Sequence, residues 1–360
     1  MHKEKYTLHH GFSVFVIENF IKLPKKIYDK AYLTQDAKTE RLLLSGKHIL
    51  SSDFEIHPFI VVDENDKVVS RCLLTYYPDD EKGYVGFYES IDSESASAML
   101  FCGVEKKAIE DGKKSLIGPI DASFWIKYRL KINHFEKLYT GEPYNKEYYL
   151  NLWKKAGYAI SNYYSSNQGK IPTYYDVDAK CINRYNHVIN AGYTFKNPTK
   201  ESFLDNLEEI YELLIKLYSD FPGFKFVELK QFTELFSSLQ LVLNFEMVTL
   251  AYKNEKLAGF FINVPNFGNA TFGRITLSKI MHILKTKKKP KEYVLLYMGV
   301  DEGHFGLGGA FAEMAKRYLQ EHSQHYIGAL ILDGKVTNNY YSTMIYDKYR
   351  YALLEKKIDI

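Results

Sequence analysis

A 360-residue chain that is 46% hydrophobic and 25% charged reads as an ordinary soluble globular protein, long enough for two domains of about 150 to 200 residues each. Its net charge of +3 is too small to imply nucleic acid as a partner, and no run approaches the roughly 20 apolar residues of a membrane span. Residues 1–18 lack the apolar core and cleavage site of a signal peptide, and the three cysteines, Cys72, Cys102 and Cys181, are an odd set that suits small buried side chains in a reducing compartment. The expected location is therefore cytoplasmic. No metal is expected, because neither the cysteines nor the pair His9-His10 has partners at ligand spacing.

In chain order, Phe12 to Ile17 reads as a first strand and Glu18 to Tyr32 as a helix broken by Pro24. A short helical pattern surrounds Arg41 to Leu44. Two strands, Phe59 to Val62 and Val68 to Tyr76, flank the turn Asp63 to Asp66. Tyr84 to Ile91 is a further strand, and Glu94 to Glu110 has helical spacing in Ala98, Phe101, Cys102 and Ile109. Leu116 to Ile120 is a short strand, residues 144–157 a helix ending in glycine, and Tyr158 to Tyr164 a closing strand.

The second half repeats that order. Tyr193 to Phe195 leads to an amphipathic helix, Phe203 to Tyr218, with Leu207, Ile210, Leu214 and Leu217 on one face. A helix at Leu229 to Leu239 precedes the hairpin Glu246 to Ala251 and Leu257 to Val264, whose turn is Lys253-Asn254-Glu255-Lys256. The basic run Lys285 to Lys291, with Pro290 inside it, reads as a solvated loop that can also attract an anionic ligand or lipid headgroups in peripheral contact. Glu18 to Tyr28 and Leu277 to Leu284 are candidate lids. An unbroken apolar run, Tyr293 to Val300, is a strand buried on both faces. After the helix that follows, Tyr326 to Leu332 is a strand, residues 338–349 a short helix, and Tyr351 to Lys356 a last strand. The boundary between the halves falls between Tyr164 and Cys181, where apolar periodicity is lost.

The segment Gly303-His304-Phe305-Gly306-Leu307-Gly308-Gly309 carries the chemistry. Its glycines let the backbone take positive φ and bring N–H groups close to a ligand. Helical spacing resumes in Phe311, Met314, Ala315, Tyr318 and Leu319. A strand passing through a glycine loop into a helix start makes an anion site, since unpaired N–H groups and the positive end of the helix dipole converge there. A phosphate or pyrophosphate is the natural ligand. A Walker loop is excluded, because Gly309 and Ala310 stand where Lys-Ser or Lys-Thr is required. A Rossmann unit is excluded too, because too little chain follows Asp333 to build a nucleotide domain.

This loop resembles the acyl-CoA-binding loop of the GCN5-related N-acetyltransferase superfamily, Gln/Arg-x-x-Gly-x-Gly/Ala after the fourth strand. Gly306 and Gly308 match its small positions, and Gly303 stands where Arg or Gln is usual. Gly86 to Asp92, Gly118 to Asp121, Pro143 to Tyr149, Gly259-Phe260 and Val300 to Ala310 extend the likeness to a bacterial group of tandem acetyltransferase-like proteins. The resemblance implies an α/β fold built on mixed sheets, with two tandem acetyltransferase-like domains at 1–170 and 171–360. Only the second carries the CoA loop, because Asp92 and Glu94 stand where a pyrophosphate would sit in the first.

It also implies acetyl-CoA or a longer acyl-CoA as co-substrate and a small or lipid-like amine as acceptor. The cofactor set it marks is Met298, Val300, Gly303, His304, Phe305, Gly306, Leu307, Gly308, Gly309 and Asn338. Tyr346 takes the place of the proton donor to the leaving thiolate, with Tyr340 or Tyr341 as alternatives. The fourth strand has no carboxylate, which leaves Asp333, His304, Glu89 or a water chain as base. Two rival readings are a tRNA-dependent aminoacyl transferase of the cell-wall peptide type and a degenerate pair used only for binding.

Overall fold

The computed structural model describes residues 5–176, 178–273 and 276–358. The first strand is β1 (Thr7–His10), and the stretch expected as a strand at Phe12 to Ile17 instead opens a helix, α1 (Val14–Lys22). Ser13 caps it by accepting from the Val16 N–H at 3.2 Å. Val16, Phe20 and Ile21 are buried while Val14 is exposed, a helical spacing that outweighs the β-branched composition. Pro24 starts a separate turn, α2 (Pro24–Ile27), and α3 (Ala37–Leu44) follows an Asp36 cap.

The hairpin β2 (Glu55–Val62) and β3 (Val68–Tyr76) leads to β4 (Lys82–Ser90), α4 (Glu94–Glu110), β5 (Ser115–Gly118), the short β6 (Leu130–Lys131), α5 (Tyr149–Lys155) and β7 (Ala159–Lys170). The second half holds α6 (Ala179–Asn190), β8 (Thr194–Lys196), α7 (Phe203–Tyr218), α8 (Leu229–Phe236), β9 (Val248–Lys253) and β10 (Lys256–Pro265). It continues with α9 (Leu277–Lys288), β11 (Glu292–Val300), α10 (Leu307–His322), β12 (His325–Leu332) and β13 (Ile345–Lys357). The lysines from 285 to 288 thus belong to the last turn of α9 rather than to a loop, and Leu277, Met281 and Leu284 on that helix are exposed. No helix among the described residues is long and apolar enough to cross a membrane. Cys72 and Cys181 are buried, whereas Cys102 is exposed.

Among the described residues the strands form one sheet in the order β1-β2-β3-β4-β5-β13-β7-β12-β11-β10-β9-β8, with β6 added on β13. The order repeats outward from the central pair β13–β7. The β2–β3 hairpin corresponds to β9–β10, and the parallel pair β4–β5 to the parallel pair β11–β12. Each half has given its last strand to the other: β7 pairs with β12, and β13 pairs with β5. One face of the sheet carries a core shared by both halves, with Phe20 and Leu43 at one end and Leu207, Leu214 and Phe232 at the other. The opposite face carries two cores, one under α4 and α5 around Phe101 and Trp153, the other under α6 and α10 around Val188 and Phe311.

Beside the central pair, Lys131 and Glu142 form a fully buried ion pair at 2.7 Å. Glu142 also accepts from the Tyr351 hydroxyl at 2.6 Å, and Lys131 donates to the Lys137 carbonyl at 2.8 Å. Removing one partner leaves an uncompensated buried charge. Lys131→Met is therefore expected to destabilise by about 3–5 kcal/mol, and adding Glu142→Leu to recover most of that loss. Urea unfolding of the single and double variants checks this, and additive losses would contradict it.

Candidate functional site

Strands β11 and β12 pair only from Glu292–His325 to Leu295–Gly328, then diverge. A register shift between Gly328 and Ile331 and a left-handed Leu330 (φ 57°) turn β12 away, and the Leu330 N–H bonds the Ser166 hydroxyl at 2.8 Å. The equivalent pair in the first half also starts to part after Tyr84–Ile117. There the chain itself closes the gap. Ile120 N–H donates to the Val85 carbonyl at 2.9 Å, and Phe87 N–H to Asp121 at 2.5 Å. Gly86 lies so near that a Cβ on it would come within 1.9 Å of the Ile120 carbonyl oxygen. Of the two equivalent parallel pairs, the one that stays open among the described residues is β11 and β12.

A cavity of about 540 Å³ passes through this gap, lined by Ala315 and Leu319 on one face of the sheet and by Leu217 and Phe236 on the other. Met298 and Val300 pack on the α10 side, Leu296 and Tyr297 on the α7 side. On the α7 side the first half contributes Trp125, Tyr128 and Arg129 to the wall.

The glycine loop stands at the wide end of the gap. Gly303 (φ 84°) and Gly306 (φ 92°) take left-handed backbone, and Gly306 caps α10. The amides of Gly303, Phe305, Gly306, Gly308 and Gly309 have no protein acceptor among the described residues, as the first turn of a helix requires of its early N–H groups. A Cβ on Gly308 would meet the Tyr340 hydroxyl at 2.6 Å and the Met298 sulfur at 3.6 Å, so glycine is what lets these groups converge. A Cβ on Gly309 would meet Arg184 Cδ at 2.6 Å and Nη1 at 3.4 Å. Arg184 comes from α6, a helix not expected from the sequence. No carboxylate pairs with it among the described residues, and Glu313, one turn along α10, is engaged by Lys316 and Arg317. A cation at the positive end of a helix is unfavourable, and an anion bound at the loop would compensate both. Arg184 thus offers from outside the loop the positive charge that Gly303 lacks.

Of the residues marked in the sequence, Met298, Val300, Gly306, Leu307, Gly308 and Gly309 gather at this end. Phe305 is at the loop tip and 90% exposed. His304 accepts or donates at Nδ1 with the Tyr193 hydroxyl at 2.7 Å, which ties the loop to the start of β8. Asn338 accepts from Ser165 and Asn167 at 3.1 Å each, and Asp333 pairs with Arg350 at 2.9 Å, so both are spent on internal bonds. Glu89 is buried in the closed half, accepting from Tyr28 and Tyr149 at 2.7 Å each, and burial pushes its carboxyl up.

The position expected for Tyr346 needs correction. Residues 338–349 are not a helix but two short 3₁₀ turns, Val336–Asn339 and Ser342–Met344, followed by β13. Ten residue pairs with β7 hold that strand and outweigh the local pattern. The Tyr346 hydroxyl lies 3.3 Å from His325 Nδ1, beside the first residue of β12. That is the closed end of the gap, roughly 25 Å along β11 from the loop at about 3.3 Å per residue. Tyr341 donates to Glu313 at 2.5 Å. Tyr340 is the tyrosine at the loop, with its hydroxyl pushed up by burial and drawn down in part by Arg184.

Comparison with protein-family models and with curated proteins returns no match. Solved structures do match. A tandem GNAT protein from the clavulanic acid biosynthesis pathway superposes on 99% of this chain and 99% of its own, with a TM-score of 0.51 at 10% identity. A probable N-acyltransferase from Enterococcus faecalis V583 covers 98% of this chain and 73% of its own, with a TM-score of 0.52 at 10% identity. A GCN5-related glucosamine N-acetyltransferase region of a fungal multi-domain β-N-acetylglucosaminidase matches 99% of this chain at a TM-score of 0.54 and 12% identity, over 38% of that larger protein's chain. The chain has the fold of a tandem GCN5-related N-acetyltransferase.

If Arg184 and the loop amides form an anion site, inorganic pyrophosphate should raise the melting temperature of the wild type by a few degrees at saturating concentration, through preferential binding to the folded state. Arg184→Met keeps the stem packed on Gly309 and should lose most of that shift. Equal shifts in both proteins, read by calorimetry, would remove Arg184 from the site.

Proposed function

We propose that the protein transfers an acyl group from an acyl-CoA to the nitrogen of an amine acceptor, at one site in the β11–β12 gap. The observation that carries this reading is the convergence of a tyrosine hydroxyl, free helix-start amides and an unpaired arginine where two parallel strands part. Gly303 to Gly309 and Arg184 hold the pyrophosphate. The unpaired edge of β11 beyond Leu295 offers backbone N–H and C=O groups to the pantetheine amides. This sets the thioester in the gap, with the acceptor reaching it from the α7 side.

The neutral amine attacks the thioester carbonyl, a C–N bond forms and the C–S bond breaks. Tyr340 donates its proton to the departing sulfur, the ammonium proton leaves through water, and Tyr340 is reprotonated from solvent, which restores the donor. Among the described residues no carboxylate lines the cavity, which favours loss of the amine's first proton to solvent over transfer to a side chain.

Two expected outcomes test the assignment. Tyr340→Phe should lower kcat by about 100-fold with acyl-CoA affinity nearly unchanged, because only the transition state uses that proton, while Tyr346→Phe should leave turnover intact. Because the Tyr340 pKa is raised from 10.0, the loss of kcat that reports its deprotonation should lie above that pH. Gly308→Asp places a Cβ and a negative charge against Tyr340 and the phosphates and should abolish acyl-CoA binding by titration calorimetry. Binding as tight as wild type would move the site elsewhere, and wild-type binding without any turnover would make this a binding protein.

A further inference from the structure

The wall of the cavity contains four cationic side chains, Lys127, Arg129, Lys316 and Lys335, and among the described residues no aspartate or glutamate. Lys127 and Lys316 have carboxylate partners outside the wall, Asp121 at 2.9 Å and Glu313 at 3.6 Å. Lys335 is exposed to solvent. Arg129 is different. Its guanidinium carbon lies 3.7 Å from the Tyr128 ring centroid and 4.4 Å from that of Tyr164, and it donates to the Tyr128 hydroxyl. Its Nε is buried with no hydrogen-bond partner, and no carboxylate pairs with it among the described residues.

The backbone also points to use. Arg129 holds a left-handed φ of 87°, a conformation costly for a branched-chain-free but Cβ-bearing residue and one that persists where the surroundings impose it. Tyr164 is paired with Leu332 at the end of β12, which puts Arg129 at the wide end of the gap, on the face opposite α10. Arg184 and the glycine loop serve the α10 face, so the two unpaired arginines attend different parts of the site.

A guanidinium desolvated on two rings and short of hydrogen-bond acceptors is a receptor for a planar oxyanion, which it meets with a fork of parallel N–H donors. We propose that the acceptor is an amine that also bears a carboxylate, and that Arg129 receives this carboxylate while the aromatic wall takes an apolar side chain. The proposal rests on the acyl-transfer reading for the identity of the nucleophile, and it sets the acceptor class apart from a purely cationic long-chain base, which this acid-free wall would repel.

The test compares phenylalanine, phenylalaninamide and phenethylamine as acceptors with acetyl-CoA, on the wild type, Arg129→Gln and Arg129→Lys. Expected is a preference for phenylalanine over the other two of about 10- to 100-fold in kcat/KM, the range lost with charged hydrogen bonds. The preference should collapse in Arg129→Gln and weaken in Arg129→Lys, while acetyl-CoA affinity and melting temperature stay as in wild type. Equal rates for the three amines in the wild type, or an undiminished preference in Arg129→Gln, would overturn it.

Calorimetry separates this result from failure of the acyl-transfer reading. N-Acetylphenylalanine and N-acetylphenylalaninamide are titrated into each protein without CoA. Heat with the carboxylate and not the amide, lost in Arg129→Gln, supports the Arg129 site even in a protein that turns nothing over. No heat with the carboxylate in the wild type counts against it whatever acetyl-CoA does.

Discussion

Everything about the site depends on where two parallel strands stop bonding to each other. Parallel pairs need every residue's N–H and C=O to be shared with a neighbour, so a divergence inside a sheet must be filled. In the first half the chain fills it itself, through the Ile120 backbone, the Asp121 carboxylate and the close approach of Gly86. In the second half none of the described residues does so, and the parted edges of β11 and β12 line a cavity instead. One fold, met twice, thereby yields one closed wedge and one open one.

The asymmetry is carried further by charge. Around the open wedge the helix start, Arg184, Arg129 and the flanking lysines all have the same sign, with the compensating carboxylates held outside the wall. Like charges gathered in a low-dielectric site raise the free energy of the empty protein, so an anion bound there would relieve a repulsion that the partners of Lys127 and Lys316 offset only in part. It would also favour the neutral form of an amine placed there, since a cationic wall disfavours an ammonium.

Much of this was legible in the sequence where local rules act alone. The amphipathic stripes of α4 and α7 and the turn residues at Asp63 to Asp66 placed those elements close to their observed bounds. The glycine loop was visible because only a backbone demand explains its residues. What long-range contacts decide was not. The buried middle of β7, Ser165 to Gln168, is polar and reads as a connection, yet it lies between β13 and β12. The segment around Tyr346 looked helical because what holds it as a strand, the pairing of Ile345 with Gly169 and of Asp347 with Gln168, joins residues far apart in the chain. Arg184 is far from the loop in sequence and carries no motif of its own, and Tyr340 stood in the sequence only as an alternative to Tyr346.

The exchange of last strands bears on how the molecule is made. Residues 345–357 stand between β5 and β7, so the middle of the sheet is the part synthesised last. Until they emerge, β5 and the full length of β7 present unpaired edges, and such edges are templates for pairing with another chain. The polar character of β7 then has a second use: serines, asparagines and a glutamine on the faces of a waiting edge strand are poor partners for hydrophobic association. A strand that hides its place from a sequence reader also hides it from the wrong neighbour.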